Sequence, residues 1–247
     1  MKIERAASNR RAVLFRRGVL AVGATLALVA LTAAAATRAL PVGPGYAPKA
    51  VGAFMLMGMF VLVHLTAQHP FERFGPANAI TLLRAALTAL TAGLVGEGGG
   101  AEIAAFAAVT GGAAVALDFV DGRVARASGL ASPFGARFDM ETDAALVLVL
   151  AVLMWQTGKT GPWVLIAGLL RYVFVLAGAA LPWMRRALPP SARRRTAAAV
   201  QMVALIVALA ATPPVSAAVA GVALALLCYS FTADTLWLHR HSVEELP

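Results

Sequence analysis

A chain of 247 residues that is 60% hydrophobic and only 13% charged, with a mean hydropathy of +0.78, is too apolar for an ordinary soluble domain, where about a quarter of residues carry charge. Its net charge of +9 does not mark a nucleic-acid binder, because the basic residues stand in short clusters between apolar runs, the pattern of membrane topology signals and anionic-lipid contact. The single Cys228 excludes a disulfide framework and a cysteine-based metal site.

In chain order, residues 1–17 (MKIERAASNRRAVLFRR) are basic. The first apolar run, 18–37, ends on the small residues of TAAAATRA, which gives it a signal-peptide look. Its full spanning length and long basic start favour a retained helix instead. A second span at 50–67 follows the connector PVGPGYAPK, and HPFERFGPAN then forms a turn or interfacial piece. Six further spans are expected near 78–96, 101–121, 137–157, 161–182, 196–212 and 215–236. The connectors GEGGGAE, TGKTG and ATPPV are short enough to join antiparallel neighbours. The expectation is an all-α polytopic membrane protein.

With eight spans, three basic clusters fall on one side: Lys2 to Arg17, then Arg123, Arg126 and Arg137, then Arg185 to Arg195. The positive-inside rule makes that side cytoplasmic, together with both termini. On the same side lie four of the chain's five aspartates. Asp118 and Asp121 close the fourth span at i, i+3, and Asp139 and Asp143 open the fifth at i, i+4. Each pair shares a helix face, and the short loop between the spans lets the two pairs converge. Carboxylates so close in a membrane protein repel and are costly to bury, and a divalent cation relieves both problems. Oxygen-only donors with no His or Cys nearby suit Mg²⁺ or a similar hard ion such as Mn²⁺. Gly122 and Gly135 leave backbone access beside the carboxylates, and Arg126 offers a planar fork for a phosphate. The bland reading, aspartates merely solvated at a loop, does not account for two phased pairs with Gly and Arg between them.

The spacing D-x2-D-G-x2-A-R-x8-G-x3-D-x3-D, filled here by Asp118, Asp121, Gly122, Ala125, Arg126, Gly135, Asp139 and Asp143, resembles the signature of the CDP-alcohol phosphatidyltransferases. Upstream, N-A-I-T-L-L-R with Asn78, Thr81 and Arg84 looks like the element that opens the first core helix of that family. The resemblance covers roughly residues 75–240. It implies a six-helix catalytic core over 71–247 and leaves 1–70, with two transmembrane helices, as an N-terminal extension. It further implies transfer of a phosphatidyl group from CDP-diacylglycerol to a small alcohol, with release of CMP, in phospholipid biosynthesis. By position it implies metal ligation by Asp118, Asp121, Asp139 and Asp143, with Asp143 as the general base. It places Gly122, Ala125, Arg126 and Gly135, with Asn78, Thr81 and Arg84 close by, at the CDP-lipid. The family context points to a bacterial inner membrane, a site facing the cytoplasm and a homodimer.

Arg171, in the apolar context GLLRYVFVL, needs a partner or a cavity. It is the candidate for binding a phosphorylated acceptor, glycerol 3-phosphate or an inositol phosphate. The cluster at 192–195 is explained as well by topology, Asp234 as interfacial, and His64 and His69 as structural. The Met-rich MLMGM at 55–59 reads as a lipid-facing or packing surface. Two other classes compete. An aspartate-rich, Mg-dependent membrane prenyltransferase would show denser DxxxD spacing without the Gly-Ala-Arg-Gly linker. A cation transporter would place its carboxylates near mid-membrane on several helices.

Overall fold

The computed structural model describes the backbone of residues 2–243 and the side chains of residues 10–125 and 127–242. The side chain of Arg126, like those of Lys2 and Arg5, lies outside the described residues. Eight α-helices and no strand occur among the described residues: α1 (Lys2–Ala39), α2 (Tyr46–Gln68), α3 (Pro76–Ala92), α4 (Ala101–Ser128), α5 (Pro133–Gln156), α6 (Leu165–Ala180), α7 (Ala192–Ala210) and α8 (Pro213–Val243). Five of them are long and apolar enough to cross a membrane: α1, α2, α4, α6 together with the turn before it, and α8. The other three fall short of that criterion for visible reasons. α3 has 17 residues, α5 opens on FGARFDMETD and α7 on ARRR. Large apolar side chains such as Leu20, Leu31, Val109, Leu176 and Val222 are each more than two-thirds exposed. In water such a surface would aggregate, whereas in lipid it is solvated. The protein is an all-α, integral membrane protein.

Three boundaries lie seven or more residues from the sequence expectation, one of them the end of α8 at Val243 rather than near 236. α1 starts at Lys2 rather than near residue 18, because the basic segment has no Gly or Pro before Gly18 and is rich in Ala and Arg, good helix formers. α4 continues past Asp121 to Ser128, so Arg123 and Arg126 belong to the helix and not to a loop. It ends where Gly129 adopts φ 66°, a left-handed conformation that glycine takes without a steric penalty.

The chain forms two compact units that divide within α5, Met1–Ala145 and Leu146–Pro247. In the first, α1 packs on α2, and both pack on α3, which also packs on α4. The α2 residues Tyr46, Ala50, Phe54, Gly58, Val61 and Leu65 form a buried stripe at helical spacing. On its other face Met55, Leu56 and Met59 are exposed, while in the same MLMGM run Met57 is half-buried and Gly58 is buried. A Cβ on Gly58 would lie 2.8 Å from Val22 Cγ1, and one on Gly18 would lie 2.5 Å from Leu65 Cδ2. These two glycines leave room for the Val22 and Leu65 side chains where α1 and α2 pack. Away from the aspartates, Tyr46 Oη donates to Leu90 O at 3.1 Å, and Lys49 pairs with Glu97, which also accepts from the Gly43 N–H at 2.6 Å. These contacts clasp the start of α2 to the last turn of α3 and the connector after it. The Lys49 ammonium and the Gly43 N–H hold the Glu97 carboxyl below the usual carboxylate range.

The second unit holds the remainder of α5, then α6, α7 and α8. α7 and α8 form its largest helix contact, and Ser216 Oγ closes their short turn by donating to Ala208 O at 2.6 Å. A Cβ on Gly168 of α6 would lie 2.5 Å from the Cα of Leu148 on α5, so those two backbones touch. Arg193 and Arg194 at the start of α7 both pair with Asp234 of α8, at 2.6 and 3.0 Å.

Candidate active site

The site is built from one face each of three helices in the first unit. Pro76 at the first turn starts α3, and its buried face carries Asn78, Thr81 and Arg84 at intervals of three. α4 presents Asp118 and Asp121, with Gly122 and Ala125 four residues on from each. α5 begins at Pro133, and the Ser132 hydroxyl accepts from the Gly135 N–H at 3.1 Å, a side-chain cap on the first turn. From Gly135 the same face leads to Asp139 and then Asp143 at intervals of four.

Arg84 joins the three faces. Its side chain is 1% exposed, and its two terminal nitrogens reach all four carboxylates. Nη2 lies 2.8 Å from Asp118 and also pairs with Asp143, while Nη1 lies 2.6 Å from Asp121 and also pairs with Asp139. Nε donates to Ala114 O at 3.2 Å, which fixes the plane of the fork. Thr81 Oγ1 adds a 3.3 Å bond to Asp121. The pairing is a tertiary fact that the motif spacing could not reveal. A signal was nonetheless present, since Arg84 is the only charged residue of α3, and a lone cation in a membrane helix seeks a carboxylate.

Among the described side chains, the four carboxylates paired with one guanidinium leave a formal charge of −3 in this partly buried cluster, which favours further positive charge. One oxygen each from Asp118, Asp121 and Asp139 lies within 4.8 Å of the others, and hard, oxygen-only donors of this kind suit a divalent cation. The residues present therefore fit such an ion. Asp143 shares the guanidinium but stands outside this set of three.

The remaining expected residues are distributed as follows. Asn78 donates to Phe74 O and is 5% exposed. A Cβ on Gly135 would lie 2.8 Å from Asn78 Oδ1, so the first turns of α3 and α5 meet where Gly135 has no side chain. Gly122 and Ala125 are half-buried on α4. Arg171 is half-buried on α6, in the second unit.

The phased aspartates on neighbouring helices of this all-helical membrane protein form an oxygen-only donor set that could hold a divalent cation. A family model for CDP-alcohol phosphatidyltransferase matches residues 74–230, and the chain belongs to that family of membrane transferases. No curated protein and no solved structure matches it.

Proposed function

We propose that this protein transfers a phosphatidyl group from CDP-diacylglycerol to the hydroxyl of a small phosphorylated alcohol, glycerol 3-phosphate or an inositol phosphate, releasing CMP. The observation that carries the reading is the convergence of Asp118, Asp121, Asp139 and Asp143 on Arg84, with every position of the family's motif filled. In this reading residues 71–247 are the catalytic domain and 1–70 an N-terminal extension. The protein works in a bacterial inner membrane with the site facing the cytoplasm, and as a homodimer.

Asp118, Asp121 and Asp139 would hold Mg²⁺ or Mn²⁺, which when bound neutralises the diphosphate and polarises the phosphorus under attack. Asp143, outside that set of three, is left to take the proton of the acceptor hydroxyl as its oxygen bonds to phosphorus and the bond to CMP breaks. Arg84 holds the carboxylates in register and neutralises part of their charge. Asn78, Thr81, Gly122, Ala125, Arg126 and Gly135 would line the path of the CDP-lipid, and Arg171 would bind the acceptor's phosphate.

The test is purified protein with labelled CDP-diacylglycerol, Mg²⁺ and a panel of alcohols, read as CMP release. Release with glycerol 3-phosphate or an inositol phosphate, and not with choline or ethanolamine, is expected. Absence of CMP release with every alcohol in the panel overturns the reading.

A further inference from the structure

His69 lies outside the segment matched by the family, yet it contacts the helix that carries two of the four aspartates. It follows the last residue of α2, where its N–H donates to Leu65 O at 3.1 Å. Its ring is buried, 5% exposed, and both nitrogens are engaged: Nε2 lies 2.8 Å from Arg73 O and Nδ1 lies 2.7 Å from Ser132 Oγ. Because a carbonyl only accepts, Nε2 must carry a proton. In the neutral ring Nδ1 then accepts, and the Ser132 hydroxyl donates to it while accepting from the Gly135 N–H. All three hydrogen bonds are satisfied in one direction: Gly135 N–H to Ser132 Oγ, Ser132 O–H to His69 Nδ1, His69 Nε2–H to Arg73 O.

The same ring continues an aromatic contact line along the start of α5. It meets Phe134 edge-on at 5.9 Å, Phe134 stacks on Phe138 at 5.8 Å, and Phe138 stacks on Phe60 of α2 at 6.3 Å. Phe134 and Phe138 are fully buried, and Asp139 is the residue after Phe138. The connector held by His69 leads in the other direction to Gly75, with φ 86°, and to α3 with Asn78, Thr81 and Arg84. His69 thus sits where the chain leading to the arginine and the cap of the helix bearing Asp139 and Asp143 are tied together.

We propose that His69 is a positioning residue for the aspartate site: through Ser132 it sets the rotation and height of the first turns of α5, so that Asp139 and Asp143 meet the carboxylates of α4 around Arg84. The end of α2, outside the family-matched segment, thereby supplies a working part of the site. This inference rests on the reading of the aspartates as metal ligands, and its test separates the two.

The full-length protein in detergent is titrated with Mn²⁺ and followed by electron paramagnetic resonance, with unfolding midpoints measured in the absence of metal. His69→Phe keeps the ring contacts and removes both of its side-chain hydrogen bonds, whereas Ser132→Ala removes the hydroxyl that joins His69 to the Gly135 N–H. Each should weaken Mn²⁺ binding by about tenfold, the lower end of what loss of a supporting hydrogen bond costs a metal site. The loss in the double variant should fall short of the sum of the two single losses, since both variants break the His69–Ser132 bond. His69→Asn, whose amide oxygen can accept from Ser132, should regain most of the affinity. A purely structural role would lower the metal-free midpoint and leave Mn²⁺ affinity where it was, and that result overturns the inference. So does a double variant whose losses add. If His69→Phe does not fold, Ser132→Ala and His69→Asn decide by the same readout. A wild type that binds no Mn²⁺ overturns the metal reading and this inference with it.

Discussion

Arg84 is the residue on which the aspartate site depends. Its guanidinium is buried with carboxylates on both terminal nitrogens, so removing it leaves four negative charges facing one another. Losing one partner of a buried ion pair costs about 3–5 kcal/mol, and Arg84→Ala should destabilise the protein on that scale in thermal unfolding. Arg84→Lys separates charge from geometry. One ammonium cannot present the planar fork that bridges Asp118 and Asp143 on one nitrogen and Asp121 and Asp139 on the other. CMP release by this variant should fall by at least about tenfold, and wild-type turnover would show that the fork is dispensable. Asp143→Asn makes the complementary case. The amide is nearly isosteric but cannot take the acceptor's proton, so turnover should drop by about a hundredfold or more with the fold retained. Turnover close to normal would remove Asp143 from the role of base. At this scale the sequence exposed the four aspartates through their spacing. It did not expose Arg84 as their common partner, because the 34 residues from Arg84 to Asp118 have no fixed geometry until α3 packs on α4.

The helices position the site by where they start and stop. α4 outlasts its expected end because its polar tail is still helix-forming, and only Gly129 stops it. α5 starts at Pro133 and can approach α3 because Gly135 faces the Asn78 amide. Gly135 was legible in the sequence as a motif position. Its physical role, a place where a Cβ would be 2.8 Å from Asn78 Oδ1, became legible only with both helices in place. Away from the aspartates, the Lys49–Glu97–Gly43 clasp fixes α2 to the connector after α3, and its behaviour with pH follows from the direction of the Glu97 shift. Lys49 and the Gly43 N–H lower the folded-state value. The clasp therefore stabilises the protein above the unfolded carboxyl value of about 4.3 and loses that contribution as pH falls through the lower folded value. Glu97→Gln should lower the unfolding midpoint at neutral pH, and its difference from wild type should shrink toward zero below about pH 4. A difference unchanged by acid would show that the carboxylate's charge is not what holds the clasp.

For the whole molecule, the proposed orientation puts the aspartates on the cytoplasmic side and the glycine-rich connector GEGGG on the other. In a Cys228→Ala background, a membrane-impermeant maleimide should label Gly98→Cys in intact cells and Ser128→Cys only after the membrane is opened. The reverse pattern would invert the protein and overturn the cytoplasmic site. The first unit contains α1 and α2 together with the aspartate site, and α3 is packed by α1 and α2 as well as by α4. The helices before the family-matched segment are therefore part of the packing that holds the site.

By itself the sequence determined the fold class, the number of helices and the aspartate motif, because each depends on short-range properties. Apolar run length, Gly and Pro stops, and i, i+3 or i, i+4 phasing are all written within one helix or one loop. Tertiary structure alone decided which groups face one another. It placed one guanidinium against four carboxylates, let α5 meet α3 at a glycine, and turned His69 from an unremarkable histidine into a hydrogen-bonded tie to the cap of α5. These are contacts between residues tens of positions apart, and burial is what makes them specific: a charge or polar group removed from solvent must find its partner inside the protein.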